Sequence, residues 1–449
     1  MQMVRTLILI AIGCFAAHGA FAQTPCTATG LQPLVCIVPF TTGAFQGNGA
    51  QAAKDRATLF NGPIAAQLSQ LPLATSAPGG ATLYKDNKPV PYDNLGPILL
   101  DRPDGVGKGR VVLGFSFQHF NFNHLDGIDI TSIPFVFQQT SPGTTLPQYI
   151  YQNEKVGIQL NQYVALLTFG LAKNTDLSVI VPFSNISIAA FTTGKSTYTV
   201  QPDNTITVTS VPDPAPGTPP TSGSANGLGD VTLNFKRVLW AGGKDGKGGL
   251  AAGIAMRLPT GDALNYLGSG AYGFNLYALA SYKARFSPHA KFAYQWNTSS
   301  VLLNLNNTPG ANRSLPGGAQ YGIGMDVAAM SRLTISSDIL ANEFTNSPYI
   351  QPTTTCVSGK VLASCTTGSN PVPTVYALSD ISTPPVTYTT ADLSFGIKYK
   401  PIPYLIMYGN VLVQMKNVGL RADPSPSFGI SYSFRSPITG KGMHKWLDR

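Results

Sequence analysis

From residue 110 to residue 435, apolar and small polar side chains alternate with a period of two, which is the signature of half-buried β-strands. The stretch PSFGISYSF near the end is the clearest case. Phe428, Ile430, Tyr432 and Phe434 share one face, and Ser427, Gly429, Ser431 and Ser433 take the other. Twelve such strands are predicted, at 110–122, 156–170, 176–189, 227–239, 249–258, 271–285, 289–298, 318–330, 332–344, 389–400, 403–416 and 427–435. Ten or fourteen are the alternatives. The runs at 156–170 and 403–416 are apolar on both faces, so their registers stay open.

The connections follow a parity rule. Odd-numbered ones (123–155, 190–226, 299–317, 346–388) are mostly long, whereas the even-numbered 171–175, 286–288, 331–332 and 401–403 are short. A transmembrane antiparallel β-barrel of the outer membrane makes this asymmetry, with short periplasmic turns and longer outer loops. An even strand count then puts both termini in the periplasm. A soluble β-sandwich, whose apolar faces would meet in a core, has no reason to keep such parity. The 190–226 and 346–388 loops are rich in Pro, Thr and Ser and read as exposed, weakly ordered segments.

Composition narrows the picture. Charged residues are 11% of the chain, against about 25% in soluble proteins. No apolar stretch beyond residue 22 approaches the roughly 18 residues a spanning helix needs. In hydrocarbon every backbone amide must be paired, so a closed sheet is the remaining way to span. Residues 1–22 read as a signal peptide: Arg5 is the positive start, Leu7–Ile12 the apolar core and Ala20-Phe21-Ala22 the cleavage site. Cys14 as a lipidated cysteine fits less well, because Ala11 stands where a large aliphatic residue is usual. Residues 23–109 lack sustained alternation and form a Gly/Pro-rich segment, either periplasmic or folded into the lumen as a plug. Within it, 50–71 can make a short helix that Gly62-Pro63 interrupts. Residues 436–449 read as a periplasmic tail.

The four remaining cysteines form two local pairs, Cys26/Cys36 and Cys356/Cys365, which suits two disulfide loops in an exported chain. The net charge of +9 is spread along the chain, which argues against a nucleic-acid partner and fits anionic lipid or an anion-favouring pore. Strand parity sets nine charges opposite the apolar face: Asp230, Lys236, Arg257, Lys283, Lys291, Asp326, Asp338, Asp392 and Lys398. A lysine or arginine facing lipid at mid-depth costs roughly 2–4 kcal/mol, so these are the lumen-lining candidates. They line a solute path, or they pair internally and fill a narrow barrel. Tyr272, Phe286, Trp296, Tyr404 and Phe434, at strand ends, suit the interfacial aromatic girdle.

Other motifs carry little. Gly268–Gly273 spells G-x-G-x-x-G, but no helix follows, so it reads as loop glycines. His119, His124, Asp126 and Asp129 match no tight metal spacing. No nucleophile–base arrangement stands out. No catalytic residue, cofactor or metal is expected, and the chain does not read as an enzyme.

Four stretches carry a family resemblance: GLGDVTLNFKRVLW (227–240), GGLAAGIAMRLPTGD (248–262), GSGAYGFNLYALASYKARFSPHAKFAYQW (268–296) and FGIKYKPIPYLIMYGNVLVQ (395–414). They resemble the exported β-barrel family labelled as the meta-pathway of phenol degradation. The shared pattern is G-x-G-D before a strand (Gly227, Gly229, Asp230), a strand ending in Pro259-Thr260-Gly261, and a late hairpin turning at Pro401–Pro403. The resemblance implies an outer-membrane channel or transporter for small solutes, with hydrophobic or aromatic compounds as the implied class. It also implies outer-membrane lipid, lipopolysaccharide and the barrel-assembly machinery as partners, and it transfers no catalytic residue. The alternative is a non-transporting structural or surface-interaction barrel with a closed lumen. An N-terminal segment in the lumen or dense cross-barrel ion pairs would favour that alternative.

Overall fold

The computed structural model describes residues 33–38, 58–72, 84–85, 88–89, 94–140, 146–211, 221–242, 247–303, 313–358, 365 and 375–435. Residues 1–22, Cys26 and the tail 436–449 lie outside the described residues.

Twelve antiparallel strands close into a transmembrane barrel. They are β1 (Arg110–Leu125), β2 (Pro147–Ala172), β3 (Thr175–Val200), β4 in two runs (Thr221–Leu228 and Thr232–Trp240), β5 (Gly248–Arg257), β6 (Gly273–Tyr282), β7 (Phe286–Asn297), β8 (Gly318–Met330), β9 (Leu333–Pro348), β10 (Pro385–Ile402), β11 (Leu405–Gln414) and β12 (Ser425–Arg435). The last strand closes on the first, with Phe434 opposite Val111 and Phe428 opposite Phe117. Pairing of the last strand with the first removes the two edges an open sheet would present to lipid.

The two-residue rhythm sorts the faces. On β12, Phe428, Ile430 and Tyr432 point outward at 59%, 40% and 44% exposure, while Ser427 and Ser433 are buried at 1% and 7%. Phe115, Phe235, Ile254, Leu276, Phe292, Ile323 and Phe395 continue this outer apolar band around the ring. Tyr272, Phe286, Trp296 and Tyr404 are exposed near strand ends. Phe434 is partly covered and stacks on Tyr432. Arg237 also faces outward, but it sits opposite Thr175 at the short-turn rim, where its head can reach water.

The wall is uneven in height. β2 and β3 run for 26 residues each, whereas β5 and β6 have 10. The tall strands start earlier or end later than their apolar patterns predict, because polar residues such as Gln152 and Thr192 continue the ladder beyond the lipid band. Sequence reading also treated the long loops as weakly ordered. Instead Ile206–Val211 pairs with the end of β3, and Gln351–Ser358 pairs with Val375–Ser382. Alternating Thr and Val supply the β preference in Ile206–Val211, and Thr353–Thr355 with Val357 and Val375 do so in the second pair.

Parts of the N-terminal segment are lodged in the lumen. A helix, α1 (Asn61–Leu68), follows a 3₁₀ turn at Thr58–Phe60. Gly62-Pro63 does not interrupt this helix, contrary to the sequence expectation. Both residues fall in its first turn, where a missing N–H costs nothing. Phe60, Ile64 and Ala65 pack with Phe120, Phe122, Ile158, Leu160, Ile186 and Ile188 of the inner wall. This explains why the inner face of β2 is apolar at Val156, Ile158 and Leu160, where it meets the lodged segment.

Candidate functional site

The lumen is crossed at two levels. At the short-turn end, residues 94–106 bridge it through polar contacts. Leu95 N–H donates to Thr334 Oγ1 at 2.8 Å, and Asn94 Nδ2 donates to the Asp326 carbonyl at 3.1 Å. Arg102 Nη2 donates to Asp326 Oδ2 at 2.8 Å, with both side chains almost wholly buried. On the opposite wall Lys236 Nζ donates to Asp101 (2.9 Å) and to the Arg102 carbonyl (3.1 Å), and Val106 N–H donates to Asp176. Asp104 pairs with Lys283. The backbone leaves through Gly107 and Gly109, both with positive φ, to enter β1.

Two wall glycines make room for this crossing. A Cβ on Gly322 would overlap Leu100, and one on Gly396 would stand 2.6 Å from Ile98 Cδ1. The wall is thus notched where Ile98 and Leu100, two of the segment's apolar side chains, lie.

The second level is α1 and the residues after it. Arg257 Nη1 donates to the Ser69 carbonyl at 2.5 Å, Gln70 Nε2 to the Pro316 carbonyl at 2.7 Å and Gln118 Nε2 to the Pro72 carbonyl at 3.2 Å. Asn61 accepts from Tyr266 OH at 2.7 Å and donates to the Val35 carbonyl at 2.8 Å.

Between the two levels lies a cavity of ≈ 290 Å³. Its lining includes Lys236, Arg257 and Lys291, the carboxylate of Asp101, and the amides Asn234, Asn275, Gln320 and Asn342. A second cavity of ≈ 90 Å³ shares Ser69, Leu71, Thr232 and Arg257 with it. The second cavity lies behind a break in the wall. Residues 229–231 of β4 oppose only two residues of β3, so the strand bulges there. Above the break, among the described residues, Thr221–Leu228 pairs with β3 alone, because β5 ends at Arg257.

The three glycine motifs converge on that break. Asp230 Oδ1 accepts from Gly261 N–H at 3.1 Å, and Oδ2 accepts from both the N–H (2.8 Å) and the hydroxyl of Ser269. Thr260 Oγ1 donates to the Gly229 carbonyl at 2.8 Å and accepts from Val231 N–H at 2.9 Å. The G-x-G-D, P-T-G and G-S-G pieces therefore form one knot, with Asp230 at its centre and Arg257 Nε 3.7 Å away. The G-x-G-x-x-G string supplies the Ser269 donors and shapes a loop.

The nine charges chosen by strand parity fall into distinct settings. Asp230 and Arg257 belong to the knot and the cavities. Lys236, Lys283 and Asp326 hold the lower crossing. Asp338 accepts from His289 Nε2 at 2.7 Å, and His289 Nδ1 lies 3.3 Å from Asp326. Lys398 Nζ donates to the Leu95 carbonyl at 3.5 Å. Asp392 pairs with Arg421 at 3.1 Å, away from the crossing. Lys291 lies over the Tyr277 ring, 5.5 Å from its centroid. Sequence reading missed Asp101, Arg102 and Asp104. Their clustering in a charge-poor chain was the available signal.

At the long-loop end Asp126 clamps three connections. It accepts from Ile350 N–H at 2.7 Å and from Gly419 N–H at 3.0 Å. Burial drives its pKa up to about 7, against the two N–H bonds that favour the anion. His119 bonds Asn161, His124 bonds Asn123, and Asp129 accepts from Thr131, so these four residues do not converge as a metal site would. Cys356 and Cys365 form a disulfide at the hairpin of the long-loop end, and Cys36 is also disulfide-bonded.

The profile of the family described as "Putative MetA-pathway of phenol degradation" matches residues 141–312, which include three of the four motif stretches. Several solved structures are similar at low identity. An outer-membrane channel from Pseudomonas putida F1 is 10% identical over 74% of this chain and 98% of its own, with a TM-score of 0.42. The toluene transporter TodX from Pseudomonas putida is 8% identical over 82% and 99%, with a TM-score of 0.28. A FadL homologue from Pseudomonas aeruginosa is 9% identical over 73% and 89%, with a TM-score of 0.25. No curated protein matches the chain's sequence.

Proposed function

We propose that this barrel is a bacterial outer-membrane channel for the passive entry of small solutes, with both chain ends in the periplasm. The solute enters at the wall break beside Gly229, passes Arg257 into the central cavity, and leaves past residues 94–106. The observation that carries this reading is the pair of cavities sharing Ser69, Leu71, Thr232 and Arg257 between two crossings of the lumen. A barrel built only as a wall would gain by filling that space, since close packing is the rule in protein interiors. The family match adds support, and hydrophobic or aromatic compounds are the class it suggests.

The lower crossing is the gate in this reading. It is held largely by hydrogen bonds and ion pairs, and the glycine notches let Ile98 and Leu100 slide out without moving the wall. The other reading is a closed structural barrel. The lodged N-terminal residues and the ion pairs across the lumen favour it. Flux decides between them. Liposomes carrying the full chain and loaded with a small sugar or an aromatic alcohol should leak it faster than empty liposomes. Equal leakage for every solute would overturn the channel.

A further inference from the structure

We propose that the central cavity holds a binding site for a small amphipathic monoanion, a carboxylate with an apolar body, and that Lys291 receives its charge. The cavity lining carries three cations and one carboxylate. Two of the cations are already compensated. Lys236 pairs with Asp101, and Arg257 sits between Asp230, the Asn297 side chain and the Ser69 carbonyl. Among the described residues no carboxylate lies within ion-pair distance of Lys291. Among the described residues its ammonium lies over the Tyr277 ring with the Asp101 charge acting from farther off, and Tyr277 is itself tied to Asn234 through its hydroxyl. Asp101 is the nearest acid in the same cavity and is committed to Lys236.

A cation inside a membrane barrel is costly without a counter-charge, and such residues mark substrate paths. One uncompensated positive charge fits one negative charge, which selects a monoanion over a phosphate dianion. The rest of the lining sets the body of the ligand. Leu71, Leu99, Leu100, Ile180 and Leu340 make an apolar wall, and ≈ 290 Å³ accommodates a molecule about the size of a substituted benzene ring. Among the lining amides, Asn275 is bonded to Gln320 and Gln320 to Gln295, so these are held in place. Asn342 keeps its side-chain amide without a partner among the described residues and can donate to a carboxylate oxygen.

The site lies on the proposed path, so the inference deepens that reading, but binding and flux are measured separately. Benzoate and its neutral isostere benzamide are titrated calorimetrically into the full chain in detergent. Benzoate should bind at least about tenfold more tightly, the equivalent of one modest charge contact. Lys291→Met should abolish the difference and Lys291→Arg should keep it, each checked for folding by its heat-dependent gel shift. Equal binding of benzoate and benzamide to the natural chain overturns the site and needs no variant. Unchanged preference in Lys291→Met also overturns it. Benzoate binding without flux would leave the site standing and overturn the channel. Flux without anion preference would do the reverse.

Discussion

Arg102 and Asp326 meet at 2.8 Å inside the barrel, across 224 positions of sequence, with side-chain exposures of 1% and 0%. Removing one partner of such a buried pair costs about 3–5 kcal/mol, because the other charge is stranded. Arg102→Ala should therefore release residues 94–106 while the wall stays closed. Hydrogen exchange should speed up at the amides of Leu95, Arg102 and Val106 and stay slow at those of β7 and β8. Equal loss of protection in the strands would mean that the crossing holds the wall together.

The glycine notches give a second route to the same state. Gly322→Leu places a side chain where Leu100 now sits, and Gly322 carries no other load at that point. Flux through liposomes should rise in this variant, with the folded gel shift retained. An unchanged rate would show that Leu100 does not restrict the path.

Asp230 holds the knot at the wall break through Gly261 and Ser269. Asp230→Ala leaves at least two buried donors unpaired, at about 1–3 kcal/mol each. The temperature at which the folded gel band is lost should fall, and Asp230→Asn, which keeps one acceptor, should fall less. No change in either would mean that the three motifs meet there without supporting one another.

The Asp126 clamp predicts a pH dependence. Its carboxyl, ordinarily at 3.8, is raised to about 7 by burial, so the clamped state binds the proton more tightly than the open one. The sign follows: the contribution is fully present below about pH 4 and is lost as pH rises through about 7. Tyr349, which faces the same carboxyl, is pushed upward from its ordinary range by burial and by the Asp126 charge, away from this window. Opening of the loop end, read from exchange at the Ile350 and Gly419 amides after correction for intrinsic rates, should increase as pH rises through about 7. Asp126→Asn should flatten that slope. A slope that survives the substitution would assign it to another group.

Much of the barrel was legible in the sequence. The two-residue rhythm gave all twelve strands, since lipid on one side and small polar groups on the other impose it directly. The lodged segment was not legible, because it shows no rhythm of its own. Its trace was indirect, in wall positions such as Ile158, Leu160, Ile186 and Ile188 that are apolar where a water-filled lumen would want polar residues. The charges read by parity came out in different settings for a similar reason. Parity says which side of the wall a residue is on, whereas its partner, as with Asp326 and Arg102, comes from a segment with no periodic signal. Asp230 was legible as a motif residue, but its meeting with Ser269 depends on a loop path that spacing does not encode.

The central claim is that solute passes a displaceable lower crossing, and a reversible lock tests it most directly. Leu100→Cys with Gly322→Cys places two thiols where side chain and wall now touch. In a planar bilayer the oxidised double variant should carry no current, and reductant should restore it, with the natural chain indifferent to both treatments. Current that persists through a verified crosslink would contradict the account.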